Sequence, residues 1–182
     1  HKMSTLKTNA ILRPADDRVL FRKSGAIIQS KRIAYYTSEY NNTSQNSLYD
    51  LPGDLGNGTA GITPYFSNSR LLFTAVLQIG NETTWRANYF RTYYKIGSGS
   101  WVQFNGGFSS VMYSNRNGVA RTIKSTFMLP SLNTTSTVYF KISTIGHQSG
   151  GYLHLNLNST SGSGSGNQGS CLSAMYVQEV SQ

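Results

Sequence analysis

The sequence predicts an all-β chain of 182 residues, an antiparallel jelly-roll β-sandwich entered by a short extended N-terminal arm. Three observations lead there. Ser, Thr and Asn number 57 and Gly adds 18, and these residues favour turns and exposed strand faces because their side chains compete for backbone hydrogen bonds. Two Trp, twelve Tyr and eight Phe suit pleated, half-buried surfaces. Some eight segments alternate apolar and polar residues with the period of a strand, joined by irregular connections.

Residues 1–24 read as the arm and residues 25–182 as one head domain, since a chain of this length supports a single core. His1 and Lys2 precede Met3, which reads as the natural initiator, and are left out of the fold as a preparation remnant. The arm is expected to be irregular, because Arg13-Pro14 ends any local element and the apolar runs at 10–12 and 19–21 are brief. The head opens with Ala26-Ile27-Ile28-Gln29 and Arg32-Ile33-Ala34-Tyr35-Tyr36 as its first strand. Residues 37–68 are predicted as a long loop broken by Pro52-Gly53, Asn57-Gly58 and Gly61. A loop of that length is expected to be functional or to lie along a neighbouring subunit.

Residues 70–79 alternate strictly, which puts Leu71, Phe73, Ala75, Leu77 and Ile79 on a core face. Residues 85–96 and Trp101-Val102-Gln103-Phe104 bracket Gly97-Ser98-Gly99-Ser100 and predict a β-hairpin. Residues 119–129 form a strand stopped by Pro130. In 137–145, Val138, Phe140 and Ile142 point inward while Thr137, Tyr139, Lys141 and Ser143 point outward. Residues 151–157 repeat the pattern through Leu153, Leu155 and Leu157, and the Ser/Gly-rich 159–169 reads as a long mobile loop. The last strand, 171–180, is apolar on both sides, with Leu172, Ala174 and Tyr176 on one and Met175 and Val177 on the other. Such a strand is covered on both faces, so beyond the core it is expected to meet another subunit, with Met175, Tyr176 and Val177 at the interface.

Met3-Ser4-Thr5-Leu6-Lys7-Thr8-Asn9-Ala10-Ile11, followed by Ser24-Gly25-Ala26-Ile27-Ile28-Gln29, resembles the opening of tail-fibre and other virion-surface proteins of marine, largely cyanobacterial, bacteriophages. Ser170-Cys171-Leu172-Ser173-Ala174-Met175-Tyr176-Val177-Gln178-Glu179-Val180 is similar to that family's last strand, with Tyr176, Val177 and Gln178 interposed between Met175 and Glu179. The resemblance implies a jelly roll like the tumour necrosis factor and complement globular heads, assembled as a homotrimer. It also implies a virion location, with the arm docked to other virion proteins. The function it implies is a tail fibre or tail-tip adhesin whose head contacts host surface glycan. The alternative is a structural decoration or knob of the phage head or tail with no host ligand.

Formal charge is +9, and eight Lys or Arg stand against Asp16 and Asp17 up to Arg32. That arm lacks the dense basic run or stacking motif of a nucleic-acid module, so docking to an acidic protein, or plain solubility, is the better reading. No apolar run approaches the ~18 residues of a membrane span. Cys171 is the only cysteine, which excludes an intrachain disulfide, and its apolar neighbours predict a buried, inert thiol. His147 and His154 are not clustered with further metal ligands. Asp50 and Asp54 place oxygens in one turn without the regular spacing of a calcium loop, and read as a polar turn. No nucleophile elbow, phosphate loop or dinucleotide fingerprint appears, so neither catalysis nor a cofactor is expected.

Binding is the expected activity. Tyr with Ser, Gly and Asn neighbours makes adaptable recognition surfaces, on which sugar rings stack. Tyr89, Phe90, Tyr93, Tyr94 and Trp101 read mostly as packing partners within or across strands. Tyr40, Tyr49, Tyr113 and Arg116 stand among turn formers and are the candidate ligand contacts. Neutral stacking and hydrogen bonding would make sugar binding nearly insensitive to salt.

Overall fold

The structure, a computed structural model, describes residues 10–13, 18–21, 24–37, 40–42, 47–80, 86–104, 108–112, 121–147, 153–156 and 172–182. Its strands are β1 (Ala10–Arg13), β2 (Arg18–Phe21), β3 (Ile27–Tyr36), β4 (Tyr40–Asn42), β5 (Leu48–Asp50), β6 (Gly61–Ile62) and β7 (Arg70–Gly80). They continue with β8 (Arg86–Ile96), β9 (Val102–Gln103), β10 (Phe108–Met112), β11 (Arg121–Met128), β12 (Val138–His147), β13 (Leu153–Leu155) and β14 (Ser173–Val180). A single turn of 3-10 helix, Gly53–Leu55, is the one helical element among the described residues. None is long and apolar enough to cross a membrane.

All strand pairing among the described residues is antiparallel, in two main sheets. One sheet runs β3, β14, β7, β11, and β4 and β13 prolong it where β3 and β14 stop. The other centres on β8 and β12, with β9 and β10 flanking β8 and β5 and β6 flanking β12. Taking interrupted strands as one each, the orders are first, eighth, third, sixth and second, seventh, fourth, fifth. That interleaving is the jelly roll the composition and patterning predict.

The strict alternation of β7 does what its period requires: Leu71, Phe73, Ala75, Leu77 and Ile79 are all buried. Val138, Phe140 and Ile142 face them from β12. Phe73 and Phe140 stack across the sandwich at 5.2 Å between ring centroids, and Phe104 meets Phe73 edge-on at 5.4 Å. Burying each such ring is worth about 1.5–3 kcal/mol, so this aromatic contact is a principal tie between the sheets. The predicted hairpin is also present: β8 turns at Gly97, with φ +54, and returns as β9, pairing Tyr94 with Val102.

Three expectations are corrected. The arm is not irregular throughout, since β1 and β2 pair from Ala10 with Phe21 to Arg13 with Arg18 and form a two-stranded sheet of their own. Its two apolar runs flank a connection long enough to reverse the chain, so they satisfy each other's backbone groups. The segment 37–68 is not a loop throughout its described residues. Its short strands β5 and β6 hydrogen-bond to β12, and Leu51, Leu55, Ala60 and Ile62 enter the core. Apolar residues spaced singly among turn formers gave it no strand period.

The third correction concerns β14. Met175 and Val177 are fully buried within the core of the chain itself, Val177 directly across from Phe73. They are therefore not available to a partner subunit. The apolar residues on both sides of this strand left two ways of facing the core, and packing against β7 selects the odd-numbered side. Tyr176 stands on the opposite, half-buried side, paired in register with Arg32 and Thr74.

Candidate functional site

The second sheet turns its outer side to solvent, and alternation decides which side chains it presents. Along β8, Phe90 and Thr92 are buried while Tyr89 and Arg91 are exposed and Tyr93 and Lys95 half-buried. Along β12, Tyr139 and Lys141 occupy the outer side. The register then sets Lys141 against Tyr93 and Tyr139 against Lys95, so each cation meets a ring across the ladder. The Lys141 ammonium lies 5.5 Å from the Tyr93 ring centre, and that of Lys95 5.3 Å from Tyr139.

Trp101 completes the cluster. It follows the Gly97–Ser100 turn, which folds the chain back so that the indole comes over both lysines, 4.9 Å from Lys95 Nζ and 5.1 Å from Lys141 Nζ. Cation–π contacts of this kind contribute about 0.5–1 kcal/mol each at exposed positions. The edge of the indole rests on Gly58, whose backbone has φ +74; a Cβ there would come within 2.4 Å of Trp101 Cζ2. Glycine is required at that turn on both counts.

Among the described residues one carboxylate, Asp50, borders the rings. Asp50 accepts hydrogen bonds from Lys141 Nζ at 2.9 and 3.0 Å and from the Ser143 hydroxyl. Asp50 is 47% exposed and Lys141 18%, so the pair sits at the rim of the cluster, screened by water. Asp54 has other partners: Asn57 Nδ2 donates to it at 3.0 Å, while Asn57 Oδ1 accepts from the Thr59 amide and hydroxyl. Asp50 and Asp54 thus serve two separate networks.

Of the four tyrosine and arginine positions singled out in the sequence, the described two, Tyr40 and Tyr49, are not part of this cluster. Tyr40 lies in β4, opposite Leu155, rather than in a loop. Tyr49 lies in β5 opposite the buried Thr144, on the side of the strand turned away from Asp50 and toward the core. Tyr113 and Arg116 lie outside the described residues, as does Cys171. Conversely, Tyr93 and Trp101, read from sequence as packing residues, are part of the presented face, while Phe90 and Tyr94 do pack on the core. Outward placement of Tyr139 and Lys141 was legible from alternation. Their union with Tyr93 and Lys95 needed the pairing of β8 with β12, which no local signal encodes.

No protein-family model matches the chain, and no curated protein matches it. Solved structures similar to it include the VP2 subviral particle of infectious bursal disease virus, with TM-score 0.44 and 14% identity, covering 93% of this chain and 36% of that one. T=1 particles derived from the same virus give TM-score 0.42 and 11% identity over 94% of this chain and 40% of theirs. The Gt strain gives 0.41 and 12% over 94% and 42%. The chain therefore spans well under half the length of these proteins.

Proposed function

We propose that this chain is a virion-surface protein of a bacteriophage, a tail fibre or tail-tip adhesin that acts by binding and not by catalysis. Its head contacts host surface glycan, and its N-terminal arm docks to other virion proteins. The phage assignment rests on the resemblance carried by Met3–Ile11 and Ser24–Gln29. The observation that supports binding is the outer face of Tyr93, Trp101 and Tyr139, three rings held by two lysines on a rigid sheet. Flat rings offer stacking surface to the C–H faces of a sugar, and the sheet beneath them removes the entropy of ordering a loop. Assembly as a homotrimer belongs to the same proposal, with Tyr176 on the outer, half-buried side of the first sheet as the contact. Tyr113 and Arg116 are proposed as a further ligand contact.

The test is adsorption of the fluorescently labelled chain to susceptible and resistant bacterial strains. Binding to the susceptible strain alone, lost on Trp101→Ala, supports the adhesin. Absence of binding to every host would replace it with the structural decoration or knob.

A further inference from the structure

We infer that the outer face of the β8–β12 sheet takes an acidic saccharide, with the anionic group of the sugar held by Lys95 and its ring stacked in the Tyr93–Trp101–Tyr139 cluster. The inference rests on the reading that this face binds sugar, and it supplies the ligand class. It arises from an imbalance between the two lysines. Lys141 has a carboxylate, Asp50, at 2.9 Å. Lys95, equally close to the indole, has no carboxylate and no hydrogen-bond acceptor among the described residues, only the two rings. A ring face holds an ammonium in place without consuming its three N–H donors, so those donors are left for water or for an incoming anion. Arg91 stands on the same side of β8, opposite Ser143, and raises the local balance to three cations against Asp50.

A cluster of half-buried rings with an unneutralised ammonium over two of them matches a pyranose that carries a carboxylate or sulfate. The ring stacks, the anion forms charge-assisted hydrogen bonds, and Asp50, 47% exposed, can accept from a sugar hydroxyl. A neutral sugar would leave Lys95 unused. Binding should therefore weaken with salt, which replaces the salt-insensitive recognition expected from neutral loops.

The experiment measures affinity of the full chain for dextran, carboxymethyl-dextran and dextran sulfate, which share one backbone, at low and high salt. Wild type should bind at least one charged polymer about tenfold more tightly than dextran, a difference of about 1.4 kcal/mol. The ratio between the two separates carboxylate from sulfate. Lys95→Gln should remove that advantage, whereas Lys124→Gln, an equal charge change on the exposed side of the other sheet, should preserve it. Asp50→Asn should strengthen charged-polymer binding by releasing Lys141, a gain that a structural role for Asp50 would not produce. Trp101→Phe, which keeps a ring, should bind better than Trp101→Ala at matched thermal stability. Equal affinity of wild type for all three polymers would overturn the acidic assignment and leave sugar binding intact. Equal losses in Lys95→Gln and Lys124→Gln would overturn it in favour of net-charge attraction, and stronger capture of single-stranded DNA through Lys95 would overturn it in favour of nucleic acid. Binding to none of the polymers and to no other saccharide would remove the underlying reading as well.

Discussion

The carboxylate of Glu179 accepts the hydroxyl of Ser69 inside the sandwich, across 110 positions of sequence. Glu179 is completely buried and has no ion-pair partner among the described residues. Its charge is met entirely by donors: the amides of Tyr65 and Phe66 at 3.0 Å, Gln29 Nε2 at 2.6 Å, and Ser69. The last strand thereby fastens the turn that leads into β7, and a buried carboxylate so supplied avoids the penalty of an unpaired charge.

Glu179→Gln keeps the shape but turns one acceptor into a donor that faces other donors. It should destabilise the chain by about 2–3 kcal/mol, the scale of hydrogen bonds to a charged group. Urea denaturation followed by far-ultraviolet circular dichroism measures it; an unchanged midpoint would show that the carboxylate is dispensable.

Val177 and Tyr176 are neighbours with opposite duties. Val177→Asp places an unpaired carboxylate against Phe73 and should cost several kcal/mol, unfolding the chain at ordinary temperature. Tyr176→Asp lies on the outer, half-buried side and should change stability by less than Val177→Asp while lowering the mass of any self-assembled species. Light scattering at micromolar concentration, paired with thermal melting, separates the two effects. Wild type scattering as a monomer would remove the trimer from the proposal.

Gly58→Ala should lower stability by about 1–2 kcal/mol for its left-handed backbone alone. The added Cβ, 2.4 Å from the indole, must also lift Trp101 from its seat. In a Trp85→Phe background the emission of Trp101 should shift to the red, and an unshifted spectrum would mean that the turn yields instead of the ring.

Thr92 and Thr144 each bury a hydroxyl that has no hydrogen-bond partner among the described residues. Both stand on the core side of the second sheet, where valine has the same shape. Thr144→Val should therefore raise stability by about 1 kcal/mol, since no hydrogen bond is lost and a buried polar group is removed. A drop in melting temperature would reveal a partner or ordered water for that hydroxyl.

What the sequence by itself determined were the properties that follow from the pleat. Successive side chains of a strand leave on opposite sides, so Phe73 and Phe140 were readable as core and Tyr139 and Lys141 as outward before any strand was paired. The Gly97–Ser100 hairpin was readable because turn chemistry is local. What only the tertiary structure decided were choices between locally equivalent states. β14 is apolar on both sides, and its contact with Phe73 turned Met175 and Val177 inward and left Tyr176 outside. The segment 37–68 has no period of its own, and β12 supplied the edge on which Asp50 and Ile62 found their register. The aromatic–lysine face needed β8 beside β12 and a glycine at 58 beneath Trp101, residues remote in sequence from one another. Strand pairing is a competition among backbone edges of nearly equal hydrogen-bonding capacity, and it is settled by which pairing buries the aromatic core.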